Sequence, residues 1–306
     1  MKHSISIVIA TVASGKRVES LRGLLEGLSC LSGREEIDHE VIVANNASVE
    51  QAARGIEELI DEFRQAGAQR LLLIREPSPG KCRAQNAAIA KAKGSLLAFL
   101  DDDVEITPGW LRAVAEFFQD GSFVAMQGAV LIPPAVQNNQ EFLRLNRRYK
   151  TINFLQYKPG RDEIKTLIGA NMAIRAEVFS QVGFFNENLG PGQSGMSEDV
   201  EFAQRIIRGG GRIGYEPKAA VYHQVDWSRL TEEYFRRRHE QQGRSRLIYK
   251  KQSVVTILPN FMRSIWSFAW YSLLRNERKK YRAKGRYFHY RAMLLEKTKK
   301  LKSPVH

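Results

Sequence analysis

Three consecutive carboxylates, Asp101, Asp102 and Asp103, follow the apolar run at residues 96–100. Alternate residues of a strand face the same side, so Asp101 and Asp103 could share one target. Carboxylate oxygens are ligands that Mg²⁺ and Mn²⁺ prefer, and a cation would offset the repulsion between the acids. The spacing leaves three roles open: aspartates that only end a strand and cap a turn, a metal site that carries a diphosphate, and a phosphatase nucleophile.

A second acidic pair, Glu198 and Asp199, follows Ser197 and precedes a helical apolar pattern that stops at the glycines 209–211. Acids in a first helical turn interact favourably with the helix dipole, so a structural role is the alternative to catalysis. The preceding NLGPGQSGM is typical of a loop that closes over a substrate. His223 ends a predicted short strand and is either a structural histidine or a metal ligand.

The segments around these acids alternate between strand-like and helix-like patterns from residue 4 onward. This order predicts βαβ units on a sheet covered by helices. Ligands of such sheets bind beyond the carboxyl ends of the strands, where Thr11, Asn45 and the three aspartates should converge. Because neither G-x-G-x-x-G after the first strand nor G-x-x-x-x-G-K-[ST] occurs, we expect neither a dinucleotide site nor a P-loop.

The opening MKHSISIVIATVASG has the outline of a short signal peptide, but its β-branched residues favour a buried strand. Cys30 and Cys82 are the two cysteines of the chain, and no C-x-x-C spacing occurs. Neither a disulfide framework nor a cysteine metal site is therefore expected, and a reducing, cytoplasmic compartment fits best.

Positive charge is concentrated at the carboxyl end of the sequence. The last 80 residues contain 21 Lys or Arg and 5 Asp or Glu, a net charge of +16, whereas residues 1–226 contain 26 and 28, a net charge of −2. This shift predicts a boundary between one domain over residues 1–226, to which the resemblance described below assigns catalysis, and a basic, mainly helical tail over residues 227–306. A polyanion, either anionic lipid headgroups or nucleic acid, is the expected partner of the tail.

The tail begins with a basic segment that predicts an amphipathic helix and continues into an apolar, aromatic segment. Pro259, Asn260 and Arg263 interrupt the apolar segment, so a membrane-spanning helix of ~20 apolar residues is not expected. Trp266 and Trp270 beside Lys and Arg suit a helix that lies on a membrane surface. The alternatives are a helical subdomain that packs its aromatic residues on the core, and a nucleic-acid-binding tail that stacks bases.

Five segments together resemble the inverting glycosyltransferases of family two, which have the GT-A fold, over residues 4 to about 226. They are SIVIAT, VIVANNAS, PGKCRAQNAAIAKAKGSLLAFLDDD, IGANMAIRAEVFSQVGFF and SEDVEFAQRIIRGGGRIGYEPKAAVYH. The resemblance implies a Rossmann-like α/β fold with a mostly parallel sheet flanked by helices. It also implies transfer of a sugar from a nucleotide-diphosphate sugar to an acceptor hydroxyl, with inversion at the anomeric carbon and with Mn²⁺ or Mg²⁺ as cofactor.

The resemblance assigns Asp103 as the direct metal ligand, with Asp101 and His223 as further ligands. Asp101 and Asp102 would also contact the waters of the metal or the ribose of the donor. Asp199 would be the catalytic base, and Glu198 would position the acceptor or the sugar. Polar residues at the strand ends and at the start of a helix would bind the nucleotide: Thr11, Arg17, Asn45, Lys81, Arg83 and Asn86.

Asn45 departs from the family pattern, which has an aspartate there to read the base. An amide both donates and accepts, so recognition of uridine stays possible, and a UDP-sugar is the expected donor. The expected acceptor is a saccharide or lipid-linked saccharide in the synthesis of cell-surface polysaccharide or glycolipid. The enzyme would work in the cytoplasm, at the inner face of the cell membrane, on an anionic lipid surface. No nucleic acid partner is expected, although a nucleic-acid-binding protein acting through the tail is the alternative.

Overall fold

A computed structural model describes most of the chain, in six stretches. These are residues 3–12, 16–31, 36–68, 70–152, 154–157 and 163–302. The chain divides into two compact units, each built from three segments. The first unit contains Met1–Pro133, Asn153–Glu187 and Glu198–Gln224, and the second contains Pro134–Ile152, Asn188–Ser197 and Val225–His306.

The first unit is built on one nine-stranded sheet within the described residues. The strands are β1 Ile5–Thr11, β2 His39–Asn45, β3 Leu71–Arg75, β4 Leu96–Asp101, β5 Val104–Ile106, β6 Ala125–Leu131, β7 Glu163–Ile164, β8 Asn171–Arg175 and β9 Ile213–His223.

The strands lie in the order β3-β2-β1-β4-β8-β6-β9-β5, and β7 pairs with β9. Pairing is parallel from β3 to β4. Beyond β4 the sheet is mixed, because β8 runs antiparallel to both β4 and β6, whereas β6 and β9 are parallel. The α/β class and the strand order along the chain are therefore as predicted, while parallel pairing is continuous only in the first half of the sheet.

Eleven α-helices lie within the described residues. They are α1 Lys16–Ser29, α2 Glu50–Gln65, α3 Lys81–Ile89, α4 Trp110–Phe117, α5 Pro134–Gln137, α6 Gln140–Tyr149, α7 Ala176–Val182, α8 Glu198–Arg208, α9 Glu232–Tyr249, α10 Val254–Leu273 and α11 Glu277–Lys302.

Both faces of the sheet are covered by apolar side chains, which explains the continuous apolar strands. Ile7 of β1 belongs to a buried cluster with Leu24 of α1 and Trp110 of α4. Its neighbour Val8 belongs to a second cluster with Phe202 of α8. Because consecutive strand residues point to opposite faces, a strand with helices on both sides is apolar at nearly every position. The predicted strand at the start of the chain is β1.

The described part of the second unit contains helices and the loop Asn188–Ser197, and no strand. Three aromatic side chains from three helices contact one another: the ring centroids of Tyr149 in α6 and Phe235 in α9 lie 5.8 Å apart, and those of Tyr149 and Tyr281 in α11 lie 5.5 Å apart. The basic helix predicted at the start of the tail is α9, and its buried residues are Phe235, Gly243 and Ser245. None of the helices in the described part of the chain has the length and apolarity that crossing a bilayer requires.

Two glycines allow α9 and α11 to approach closely. A methyl group added to Gly243 would lie 2.3 Å from the carbonyl oxygen of His289. One added to Gly285 would lie 2.5 Å from Nε2 of His239. A backbone atom cannot move aside as a flexible side chain can, so the contact at Gly243 is the stricter of the two.

We therefore expect Gly243→Ala to destabilise the protein by about 1–3 kcal/mol, the usual cost of overpacking, although alanine is the better helix former. The matched control is Gly55→Ala in α2, where an added methyl group meets no atom within 4 Å. This control should stabilise the protein by about 0.5–1 kcal/mol. Urea denaturation of both variants measures the two effects, and equal stabilisation by both would contradict the close contact.

Candidate active site

The three aspartates separate into two groups at the end of β4. Asp102 is buried, accepts a hydrogen bond of 2.6 Å from the hydroxyl of Thr11, and lies 3.0 Å from Nη1 of Arg17. Burial raises the pKa of Asp102, although Arg17 and Thr11 oppose that rise. Arg17 also reaches Asp103, at 4.0 Å. Asp102 thus holds the end of β1 and the start of α1 beside the other two acids.

Asp101 and Asp103 come together with His223, as the sequence predicts. Each of the three offers a ligand atom, and these atoms lie within 4.8 Å of one another. The strand ends at Asp101, so the turn between β4 and β5, and not continued strand alternation, brings Asp103 to the same side. Strand β9 holds this turn in place. Val104 of β5 pairs with His223, and the amide of Gln224 donates to the carbonyl of Asp103.

The imidazole of His223 is oriented for ligation. Its Nδ1 lies 2.9 Å from the carbonyl oxygen of Gln224, and because a carbonyl only accepts, Nδ1 must carry the proton. Nε2 faces Asp103, whose Oδ1 is 3.6 Å away, and in the neutral imidazole this nitrogen carries the lone pair that a metal needs. A ring nitrogen fixed by a backbone carbonyl is the usual arrangement of a metal-ligating histidine. Two carboxylates and one such imidazole are donors that fit a divalent cation.

Lys81, the first residue of α3, connects these acids to the second acidic pair. Its ammonium group forms an ion pair with Asp101, and its Nζ lies 4.0 Å from Oε1 of Glu198. Burial disfavours the charge on Lys81, but Asp101 and Glu198 outweigh burial and raise its pKa. The pKa of Asp101 is lowered despite burial, chiefly because the ammonium group of Lys81 stabilises the carboxylate.

Glu198 and Asp199 form the first turn of α8, as predicted, directly after Ser197, which has a φ of 76°. Burial and the neighbouring charge of Asp199 raise the pKa of Glu198 to about 7. Burial also raises the pKa of Asp199, against the effect of the backbone N–H of Gly169. Glu198 is buried, whereas Asp199 is partly exposed and is the more accessible of the two.

Two backbone amides hold the carboxylate of Asp199. The N–H of Gly169 donates to Oδ2 at 3.1 Å, and that of Val200 donates to Oδ1 at 2.7 Å. The segment that carries Gly169 is fixed in turn by Gln127, whose side-chain oxygen accepts from the amide of Ile168 at 2.6 Å. The side-chain amide of Gln127 also donates to the carbonyl of Asn171 at 2.9 Å. The buried Gln127 therefore positions Asp199 through the segment that carries Gly169.

Gly169, Gln127 and Asn171 were not identified from the sequence as parts of the site. The side chain of Asn171 accepts from Trp110 and donates to the carbonyls of Ala129 and Ala219, so it joins the central strands. A buried polar residue inside a predicted strand is the signal that could have revealed Gln127 and Asn171, because such groups must be hydrogen-bonded. A glycine that acts through its backbone N–H carries no comparable signal.

Three predicted nucleotide-binding residues have other partners. Asn45 is buried, donates to the carbonyl of Ala53 at 3.0 Å and accepts from the amide of Ala47 at 3.1 Å. Arg83 lies 3.4 Å from the carboxylate of Glu187. Asn86 exchanges hydrogen bonds of 3.0 Å with the backbone of Phe185. The structure thus brings Thr11, Arg17 and Lys81 to the acids, whereas Asn45, Arg83 and Asn86 bind the chain itself.

The glycine-rich loop before Glu198 is compact. The amide of Gly195 donates to the carbonyl of Gly190 at 2.8 Å, and both glycines have positive φ angles. In the second unit the loop contacts α9, where the hydroxyl of Ser245 donates to that of Ser194 at 2.8 Å. The loop predicted from the sequence is therefore present, and its closure over a substrate stays a prediction.

Curated relatives of this sequence include glycosyltransferases and a glycan-synthesis protein. The pre-mycofactocin glycosyltransferase of Mycobacterium tuberculosis is 28% identical over 225 residues, which cover 72% of this chain and 42% of that protein. The chain thus spans less than half the length of that relative. The succinoglycan biosynthesis protein ExoM of Rhizobium meliloti is 27% identical over 252 residues, which cover 81% of this chain and 76% of ExoM.

Solved structures with a similar fold also include glycosyltransferases. The mannosyltransferase PcManGT from Pyrobaculum calidifontis, in complex with GDP-Man and Mn²⁺, has a TM-score of 0.57 at 15% identity, over 98% of this chain and 76% of that chain. GalNAc-T7 with UDP, GalNAc and Mn²⁺ has a TM-score of 0.53 at 17% identity, over 78% of this chain and 48% of that chain. These similarities confirm the predicted GT-A fold.

Two family models match the sequence itself. One, described as glycosyl transferase family group 2, matches residues 96–300. The other, described as glycosyl transferase family 2, matches residues 6–183, which is more than half of the chain and includes β1 to β4 and the three aspartates. The family predicted from the sequence is confirmed: the chain belongs to glycosyl transferase family 2.

Proposed function

We propose that this protein is a metal-dependent, inverting glycosyltransferase that moves a sugar from a nucleotide-diphosphate sugar to an acceptor hydroxyl. The observation that carries the proposal is the pair of acidic groups joined by Lys81. One group, Asp101, Asp103 and His223, has the donors for a divalent cation, and the other, Glu198 and Asp199, holds a carboxylate of raised pKa. A base beside a site that can neutralise the leaving diphosphate suits a direct displacement at the anomeric carbon.

Asp199 is the general base of the proposed reaction. Its carboxylate takes the proton of the acceptor hydroxyl while the acceptor oxygen bonds to the anomeric carbon. The bond from that carbon to the diphosphate oxygen breaks, and the nucleoside diphosphate leaves with the electron pair. Two backbone N–H groups orient the carboxylate, and partial exposure leaves it accessible to the acceptor. The buried Glu198 positions the acceptor or the sugar beside it.

Asp101, Asp103 and His223 would hold Mn²⁺ or Mg²⁺, which supplies charge neutralisation for the leaving diphosphate when it is bound. Lys81 keeps Asp101 ionised, as its lowered pKa indicates, so that this ligand is ready at neutral pH. Asp102 and Arg17 fix the turn that carries Asp103. Thr11 fixes Asp102 in the same way through its hydroxyl.

We propose a UDP-sugar as the donor and a saccharide or lipid-linked saccharide as the acceptor, in the synthesis of cell-surface polysaccharide or glycolipid. The name of ExoM, a succinoglycan biosynthesis protein, supports the polysaccharide class. We also propose that the enzyme works in the cytoplasm at the inner face of the cell membrane. The net charge of +16 in the last 80 residues supports that location, because it would attract anionic lipids.

Asp199→Asn should lower turnover by about 10²–10⁴, the usual contribution of a general base, without weakening donor binding. Release of nucleoside diphosphate in the presence of acceptor measures turnover, and the thermal shift caused by the donor measures binding. The matched control is Glu177→Gln, because Glu177 is an exposed acid in the first turn of α7. The control should keep full turnover, and normal turnover by Asp199→Asn would remove the assigned base.

The turnover rate should fall in mild acid, at a higher pH than it would for an aspartate of ordinary pKa. The base acts only when ionised, and burial raises the pKa of Asp199, so acid protonates the group that must stay charged. Glu198→Gln removes a nearby negative charge and should move this fall in rate to lower pH. A pH–rate profile of both proteins tests this, and equal rates from pH 5 to 8 would contradict it.

Asp103→Ala should abolish the rise in melting temperature that Mn²⁺ together with UDP causes in the natural protein, because a cation and a diphosphate bind this site jointly. His223→Gln should weaken the same effect. The matched control is Asp61→Ala, since Asp61 is an exposed acid of α2 with a side chain that is 61% exposed. A full Mn²⁺-dependent shift in Asp103→Ala would exclude the proposed metal site.

The identity of the donor base can be tested with a panel of nucleoside diphosphates in the presence of Mn²⁺. We expect UDP to raise the melting temperature more than GDP, ADP or CDP, with little effect when Mn²⁺ is omitted. Greater stabilisation by GDP would indicate a GDP-sugar as the donor in place of a UDP-sugar, and it would not affect the assignment of the metal site.

A further inference from the structure

Helix α10 has an apolar face that no part of the described chain covers. This exposed face consists of Val255, Leu258, Met262, Trp266, Trp270 and Leu273. The exposed fraction of the residue is 73% for Trp266, 58% for Trp270 and 76% for Leu273. Their spacing of three, four or seven residues places them along one side of the helix. Single exposed apolar residues are normal, but a continuous row along a whole helix marks a binding surface.

The opposite side of α10 is already occupied. Ile257 and Ser264 are buried, and Phe261 stacks on Tyr287 of α11 with 5.4 Å between ring centroids. The helix is therefore held in place by α11 and does not depend on the exposed face for its folding. That face can bind a partner without first being uncovered.

The charges around the exposed face favour a negatively charged partner. Between Lys251 and Arg275 the one charged residue is Arg263, and Arg275, Arg278 and Lys279 follow the helix. Tryptophan rings beside Lys and Arg suit the headgroup region of a bilayer, where the ring meets acyl chains and the cations meet phosphate. Attraction to an anionic leaflet adds to the apolar contribution.

A second copy of the chain fits the same face less well. Two copies joined there would bring together two tails that each carry a net charge of +16. Like charges at one interface are destabilising unless they are paired, and Glu277 is the one acid between residues 250 and 280. An anionic lipid surface has the complementary charge and no such repulsion.

The helix must lie along the membrane and not enter it end-on. α11 packs beside α10, and its 26 residues include eleven Lys or Arg. Moving these charges into the acyl region of the bilayer would cost free energy, so α11 keeps α10 at the membrane surface. A helix of 20 residues is about 30 Å long and can contact lipid over that length when it lies flat.

We propose that the exposed face of α10 docks the protein, in the plane of the membrane, on an anionic lipid surface. This proposal rests on the proposed function, because docking would keep the active site near a lipid-linked acceptor. It assigns the contact to six named side chains and the attraction to the basic residues that follow them.

The test is cosedimentation of the full chain with two kinds of vesicle, phosphatidylcholine alone and phosphatidylcholine with about a third phosphatidylglycerol. The natural protein should bind the anionic vesicles at least about tenfold more tightly. Trp266→Ser combined with Trp270→Ser should weaken that binding by about tenfold or more, since two interfacial rings are lost. Both side chains are exposed, so the variant should fold normally.

The matched control is Val49→Ser combined with Leu143→Ser, which removes two exposed apolar residues outside α10. It should bind vesicles as the natural protein does. Arg275→Gln combined with Lys279→Gln should weaken binding to anionic vesicles only, and added salt should remove that difference. Equal binding of the tryptophan variant and the natural protein would overturn the proposal.

Sedimentation velocity separates docking on lipid from pairing of two copies. The proposal would also be overturned if the natural protein dimerises, the tryptophan variant stays monomeric and neither protein binds vesicles. That result would show that α10 pairs with a second copy of the chain. Donor turnover in solution distinguishes this failure from failure of the proposed function. The tryptophan variant should release nucleoside diphosphate normally with a soluble acceptor, whether or not docking on lipid is correct.

Discussion

The ammonium group of Lys81 lies between the two acidic groups of the candidate active site and links them. Asp101 contacts it directly, and Glu198 lies 4.0 Å away, so one largely buried cation serves both acidic groups. Removal of one partner from a buried ion pair usually costs on the order of 3–5 kcal/mol, because the remaining charge is left without compensation. The acid that would hold a metal and the helix that carries the base therefore depend on the same side chain.

Buried amides hold the opposite side of this arrangement. Gln127 and Asn171 satisfy the backbone groups of neighbouring strands, and they fix the segment whose Gly169 amide binds Asp199. Gly128 lies directly beside Asn171, where an added methyl group would come within 2.2 Å of the side-chain nitrogen. A fully hydrogen-bonded polar network in a core has little freedom to shift, because each displacement breaks several bonds. This rigidity keeps the base in a fixed orientation.

Much of this structure could be predicted from local patterns in the sequence. Apolar periodicity predicts β1 to β4 and the helices between them. The position of Asp101 and Asp103 after a strand suggests that they share a target, and the resemblance to family two adds His223 to them. Long-range pairing has no such pattern, so the antiparallel insertion of β8 between β4 and β6 could not be predicted. The hydrogen bonds of Asn45 with the backbone of Ala53 and Ala47 could not be predicted either, because a side-chain amide can bind a ligand or the backbone equally well.

Three helices begin at or beside residues that form or contact the two acidic groups. α1 starts one residue before Arg17, α3 starts at Lys81 and α8 starts at Glu198. The amino end of a helix carries a partial positive charge, equivalent to about half a proton charge. Three such poles, added to Lys81 and Arg17, reduce the net negative potential that the five acids would otherwise create. A pyrophosphate bound beside these acids would therefore meet a milder negative potential than their number suggests.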